Sequence, residues 1–358
     1  MSYVEGLMDV ADFDFELPEQ LIAQNPSPIR GGSRLLVLRR DAAELVHTEF
    51  ANLPDYLRAG DLLVLNNTKV FPARLLGNRV PSGGAVECLL LTSPEPGASA
   101  ICDALVHPGQ KLPPGARVVF ERDGVQLHGD VLAQHFHGRR TIRLWSPDNR
   151  DVGGLIDRIG HVPLPPYIRR DDSPLDRDRY QTVFARQRGS VAAPTAGLHF
   201  TDRMLEALQH RGIERTEVTL HVGYGTFKPV RSERVEDHVV DPEPFSVSAD
   251  AAAALTRAKR EGRRIIAVGT TTARALESLA VGKDGRVGEL KGVARIFIHP
   301  GHQFRLVSGL MTNFHLPRSS LLMLVAALAG REKVLAAYRE AIERRYKFYS
   351  YGDAMLIV

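Results

Sequence analysis

The chain has 358 residues, 44% of them apolar and 25% charged, enough to bury two cores in the manner of an ordinary globular protein. Its two cysteines, Cys88 and Cys102, are too few for a disulfide framework, a four-ligand zinc site or an iron–sulfur cluster, and they point to a reducing cytoplasm. A formal charge of +4 is compatible with a nucleic-acid partner without requiring one. The acidic start around Asp9 to Glu16 does not read as a secretory leader, and the longest apolar run, 321–329, is too short to span a bilayer.

In chain order, the apolar runs at 34–38 and 61–65 predict strands covered on both faces, the second leaving its sheet at Asn66-Asn67-Thr68-Lys69. From Leu75 to Asp151 the pattern changes. Short strands are predicted at 86–91, 116–121, 125–134 and 140–145, separated by turns at Pro94 to Gly97, Pro108-Gly109 and Pro113 to Gly115. No helical period appears there, so this stretch reads as a small barrel or sandwich. It carries eight basic and eight acidic residues and is therefore no basic platform for RNA.

Beyond it, helices and strands alternate. Thr201 can cap a helix that buries Met204, Leu205 and Leu208 and stops at Gly212, and a strand follows at 217–222. Ser248 caps an Ala-rich helix closing at Gly262. The strand 264–268 then runs into Gly269-Thr-Thr-Thr272 and a helix at 273–279. A further strand is predicted at 296–298, an apolar helix after Ser319, and a basic helix over 331–347. Together these elements predict a mixed α/β layered domain, made discontinuously from 1–74 and 152–358, interrupted by an all-β, barrel-like domain at 75–151.

Five short stretches carry chemistry. Pro194-Thr-Ala-Gly-Leu-His-Phe200 and Leu220-His-Val-Gly-Tyr-Gly-Thr-Phe227 each place a histidine among Gly and Thr, where a backbone can approach a ligand and a ring can exchange a proton. The threonines after Val268 sit at a strand-to-helix junction, which attracts anions, although an ordinary threonine cap reads equally well. Met311-Thr-Asn-Phe-His-Leu-Pro317 and Tyr349-Ser-Tyr-Gly-Asp-Ala-Met355 add a histidine, an asparagine and an aspartate near aromatic rings. The Gly-x-Gly-x-x-Gly loop of a dinucleotide site is missing, and Pro229 opposes a helix after Gly223-Tyr-Gly225, which argues against a conventional methyltransferase. A purely RNA-binding module would leave the histidine turns without a purpose.

The chain resembles the S-adenosylmethionine:tRNA ribosyltransferase-isomerases of queuosine biosynthesis. The likeness runs through Phe15-Glu-Leu-Pro18, Gly60-Asp-Leu-Leu-Val-Leu-Asn-Asn-Thr68 and Gly160-His-Val-Pro-Leu-Pro-Pro-Tyr167. It continues through Ala192-Ala-Pro-Thr-Ala-Gly-Leu-His-Phe200, Thr312-Asn-Phe-His-Leu-Pro317 and Tyr351-Gly-Asp-Ala-Met355. The histidines of Phe297-Ile-His-Pro-Gly-His-Gln-Phe304, and Val239 after His238, depart from the usual pattern. The resemblance implies an α/β domain interrupted by a β-barrel. It implies S-adenosylmethionine as a ribosyl donor and co-substrate, with no permanently bound cofactor and no metal. The acceptor is 7-aminomethyl-7-deazaguanine at the wobble position of tRNA, and the product is epoxyqueuosine, with adenine and methionine released. A cytoplasmic monomer without a membrane partner is expected.

That chemistry requires proton transfer, for which the candidates are His199, His221, His315 and Asp353. Thr195, Gly197, Gly223, Gly225, Thr226, Gly269, Thr270, Thr271 and Asn313 are the candidates for holding S-adenosylmethionine. Lys69, Arg74 and Arg274 are the candidates for tRNA phosphate.

Overall fold

The computed structural model describes residues 7–42, 44–227, 229–288 and 290–358. A nine-stranded sheet runs in the spatial order Leu290–Ala294, Glu243–Val247, Glu214–Leu220, Leu62–Asn66, Ile265–Val268, Gly309–Asn313, Ala354–Ile357, Arg34–Leu38 and Leu45–Glu49. The four central strands from Glu214–Leu220 to Gly309–Asn313 are parallel to one another. Antiparallel pairs complete the sheet at both edges, and Ala354–Ile357 sits antiparallel to one neighbour and parallel to the other.

The continuous apolar runs follow from this placement. Leu62 and Val64 face a core shared with the helices Ala249–Arg260, Thr270–Glu277, Ser320–Ala329 and Arg331–Glu343. Leu63 and Leu65 face a second core with Phe50, Phe200, Leu205 and Leu208. Because successive strand side chains point to opposite faces, a strand covered on both sides must be apolar throughout.

The insertion is a closed barrel of the strands Arg139–Trp145, Ser99–His107, Ala85–Leu90, Arg74–Val80, Arg117–Arg122 and Val125–Gln134. Its core continues past Asp151. The helix Val152–Ile159, capped by Asp151 through the Gly154 N–H, buries Val152, Leu155, Ile156 and Ile159 among the barrel residues. Cys88 and Cys102 are also buried there. The strand Ser99–His107 had no counterpart among the expected elements, although its burial alternates as a barrel strand requires.

The helix caps fall where the sequence places them. Thr201, Ser248 and Ser319 each accept a first-turn N–H through the side chain. The strand expected at 296–298 is absent; Leu290–Ala294 instead pairs with Glu243–Val247. Ile298 is buried as a loop residue, so its apolar character marks the core and not a ladder. Among the described residues no helix is long and apolar enough to cross a membrane.

Candidate active site

The carboxyl ends of the parallel strands open into a cavity of about 270 Å³, the place where open α/β sheets usually take their ligands. Its walls come from the turns after three of those strands, from the Ala193–Thr195 stretch and from Tyr167, Tyr349 and Ser350. The strand Ile265–Val268 leaves through Gly269, whose φ of +92° is open to glycine and strained for other residues. Its N–H bonds the Met311 carbonyl at 2.8 Å, which fixes the turn.

The next helix begins at Thr270, three residues before the expected start, with Gly269 as its cap. The threonines are therefore first-turn residues and not caps. Thr272 donates to the Val268 carbonyl, whereas Thr270 and Thr271 line the cavity. First-turn N–H groups lack intrahelical partners and carry the positive end of the helix dipole, so an anion is favoured there. Asn66 joins this wall to its neighbour: its amide donates to the Leu220 carbonyl at 3.0 Å and to the Thr271 hydroxyl at 3.4 Å.

The strand Gly309–Asn313 supplies the opposite wall. The Asn313 amide nitrogen donates to the Tyr349 carbonyl at 2.9 Å and meets His199 Nε2 at 3.2 Å. With both amide hydrogens so used, His199 Nε2 is the acceptor, and Nδ1 carries the proton toward Ser33 Oγ at 2.8 Å. The Asn313 side-chain amide oxygen is buried without a hydrogen-bond partner among the described residues. His315 lines the cavity and pairs through Nε2 with Thr312 Oγ1 at 2.8 Å. Burial pushes the His199 pKa down to about 4, against smaller opposing effects of Asp353 and Asn313, and pushes His315 down to about 3. Both rings are neutral at physiological pH.

Stability should follow these shifts. Each folded pKa lies below the unfolded value of 6.5, so the unfolded chain takes up protons first as pH falls. The contribution is complete above about pH 6.5 and is lost toward 4 for His199 and 3 for His315, on the order of 3 and 5 kcal/mol respectively. Urea titrations across this window should show falling stability, and His199→Gln should flatten the profile. An unchanged slope in that variant contradicts the assignment.

The glycine loop lies on the far side. Thr226 lines the main cavity. Gly225 faces a smaller adjoining cleft, where an added Cβ would stand 2.2 Å from the Asp241 carboxylate. Gly223 donates its N–H to Glu243 at 3.0 Å, and a single 3-10 turn, Tyr224–Phe227, follows. His221 stands outside the cavity lining, with Nδ1 on Thr68 Oγ1 at 2.8 Å and its ring against Gly189. Thr195 lines the cavity, whereas Gly197 packs against Phe184 and Thr182.

Three expected contacts are reassigned. Arg274 is 9% exposed and forms a buried ion pair with Glu243, so it does not reach tRNA phosphate. Asp353 is buried away from the cavity lining. Its carboxylate accepts from the Arg34 N–H, the Arg34 guanidinium and the Lys347 N–H, and so fastens two chain segments. Arg74 is engaged with Glu87 through two hydrogen bonds and beside Asp171 at 3.7 Å, which leaves only Lys69 exposed among the expected phosphate ligands.

Sequence reasoning missed Ser33, Arg34 and Tyr167. The Tyr167 ring packs at a tilt against Tyr349 with centroids 4.1 Å apart, and its hydroxyl meets Ser350 Oγ at 2.6 Å. Arg34 was legible only as the polar residue opening an apolar strand, and Ser33 carried no signal.

Comparison with known proteins decides the family. The family model described as "Queuosine biosynthesis protein" matches residues 10–357. The chain belongs to this family. An S-adenosylmethionine:tRNA ribosyltransferase-isomerase from Halothermothrix orenii is 50% identical, covering 98% of this chain and all of its own. The enzyme of that name from Aquifex aeolicus is 47% identical at the same coverage. The crystal structure of S-adenosylmethionine tRNA ribosyltransferase from Thermotoga maritima is similar with a TM-score of 0.53 at 38% identity, covering 97% of this chain and all of that one. The mixed α/β fold with its barrel and the queuosine-family assignment thus agree with the resemblance drawn from the motifs.

Proposed function

We propose that this chain transfers the ribosyl unit of S-adenosylmethionine to 7-aminomethyl-7-deazaguanine at the wobble position of tRNA and isomerises it, giving epoxyqueuosine, adenine and methionine. The observation that carries the reading is a cavity at the strand ends that joins a helix N-terminus to a neutral histidine, within a chain matched from residue 10 to 357. The first turn at Thr270 and Thr271 receives the methionine carboxylate. Thr195, Thr226 and Asn313 present hydroxyl and amide groups toward the sugar and the amino acid portion.

The sulfonium acidifies the hydrogens on the adjacent ribose carbon, and an unprotonated imidazole in a dry wall is suited to remove one. His315 lines the cavity and takes that role in this proposal. His199 reaches the same wall through Asn313 and acts on the acceptor side, where the attacking amine must be uncharged. His221, held by Thr68, orients the glycine loop, and Asp353 positions the Tyr349–Gly352 turn. The enzyme is proposed to work as a cytoplasmic monomer. Mass analysis of nucleosides, after mixing the protein with S-adenosylmethionine and precursor-bearing tRNA, tests the whole reading. Absence of a product with the added ribosyl-derived unit overturns it.

The sulfonium supplies the activation, so no metal is required, and both cysteines belong to the barrel core. Burial pushes the Cys102 thiol up to about 11, and Cys88 higher still, which makes both unreactive near neutral pH. Turnover is therefore expected to survive strong chelators and the double replacement Cys88→Ala with Cys102→Ala. Loss of activity on chelation, restored by one added metal, contradicts the metal-free route.

A further inference from the structure

A second cleft lies beside the main cavity, and the two share Ser350 in their walls. It is lined by His199, Ser33, Arg30, Arg179 and Ile29. His199 thus stands between the two spaces, facing this cleft and bonded through Asn313 to the wall of the larger one. The donor cavity contains no arginine apart from Arg318 at its rim. The smaller cleft brings two guanidiniums together.

Arg179 has no carboxylate within ion-pair distance among the described residues, and Arg30 has only Asp178, at 3.4 Å, whose side chain is 81% exposed. Both are held by backbone carbonyls: Arg30 by Gln181 and Asp178, Arg179 by Ser27. Carbonyls orient a guanidinium without cancelling its charge. Burial, and then the neighbouring Arg30, holds the Arg179 pKa below its ordinary value, against smaller opposing effects of Asp178 and Tyr351. Ile29, 74% exposed, adds an apolar surface at the mouth against which a base can rest. Two oriented cations, an apolar step and a proton-transfer ring in one cleft match a nucleotide better than an amino acid.

We propose that Arg30 and Arg179 hold a phosphodiester next to the acceptor nucleotide, so that RNA enters at this cleft while S-adenosylmethionine occupies the larger cavity across Ser350. The inference rests on the ribosyl-transfer reading and adds the face at which the acceptor strand docks. It also places His199 on the acceptor side by geometry.

The test is a salt titration of binding to an anticodon stem-loop RNA carrying the acceptor base, with wild type, Arg179→Gln and Arg179→Lys. Arg179→Gln should weaken RNA binding roughly tenfold near 0.1 M salt and reduce the logarithmic salt slope by about 0.7, one single-strand phosphate contact. Arg179→Lys should keep the slope, because the charge remains, and S-adenosylmethionine affinity should be the same in all three. A wild-type slope in Arg179→Gln overturns the proposal. So does equal loss in both variants together with loss of S-adenosylmethionine binding, which marks Arg179 as structural support alone; Arg30→Lys, compared in the same way, guards against a single misfolded variant. Adenine release by the wild type separates the two levels. Release with RNA, but no effect of Arg179→Gln, removes only the docking face; no release removes the ribosyl-transfer reading and the docking face with it.

Discussion

His315→Ala is expected to lower kcat by about a hundred- to ten-thousandfold while changing S-adenosylmethionine affinity little. The ring lines the donor cavity, is neutral at working pH and is oriented by Thr312 Oγ1 at 2.8 Å. Its removal deletes the proposed proton acceptor without touching the helix turn at Thr270, the proposed anion site. Two measurements belong together: single-turnover kinetics, and exchange of the hydrogens beside the sulfonium with deuterated solvent. Loss of both identifies the base. A variant that still exchanges but forms no product places His315 in a later step, and a near-normal rate removes it from the chemistry. His199→Ala should instead retain exchange and lose transfer, since His199 meets the acceptor cleft.

The second large effect is on folding. Arg274→Met should destabilise the protein by about 3 to 5 kcal/mol, because it leaves Glu243 buried without its counter-charge. Burial already raises the Glu243 pKa, and Arg274 opposes that rise. The Arg274 guanidinium also bonds the carbonyls of Ala294 and Ile296, so it closes the sheet edge as well as the ion pair. The double replacement Arg274→Met with Glu243→Leu should recover much of the loss, since no charge is then stranded. It should not recover S-adenosylmethionine binding, because Glu243 also accepts the Gly223 N–H that shapes the glycine loop. Urea unfolding and ligand titration on the same three proteins check both halves, and equal stability of the single and double variants contradicts the account.

Arg274 shows where sequence reading stopped. An arginine in a helix after a threonine cluster looks the same whether it meets RNA or a buried carboxylate 31 residues away. The central strands were legible because a strand covered on both faces must be apolar at every position, and the helices were legible from Thr201, Ser248 and Ser319. The barrel strand Ser99–His107 was not, because its alternation includes polar Ser99 and Asp103 and lies beside a Pro-Gly turn. Among the site residues, those of the turns after the parallel strands, Gly269 to Thr271 and Asn313 to His315, come together in the cavity. Asp353 and Gly197 do not: the Asp353 carboxylate is turned to Arg34 and Lys347, and Gly197 packs against Phe184 and Thr182. Arg30 and Arg179 had no motif to announce them; only the fold brings residues so far apart to one cleft.

The placement of Ala354–Ile357 inside the large sheet has a kinetic consequence. Every ladder of the barrel joins strands that lie between Arg74 and Trp145, so that unit can close while the chain is still emerging. The strand Arg34–Leu38, made earlier, has Leu45–Glu49 on one side but must wait for Ala354–Ile357 on the other; the Arg34–Asp353 bond at the start of that ladder spans 319 residues. Loop-closure entropy makes such a pairing late as well as slow. During synthesis the barrel therefore matures first, and the wall that carries Tyr349 and Ser350 is the last to be set, so neither the cavity nor the cleft beside it is finished before the final strand docks.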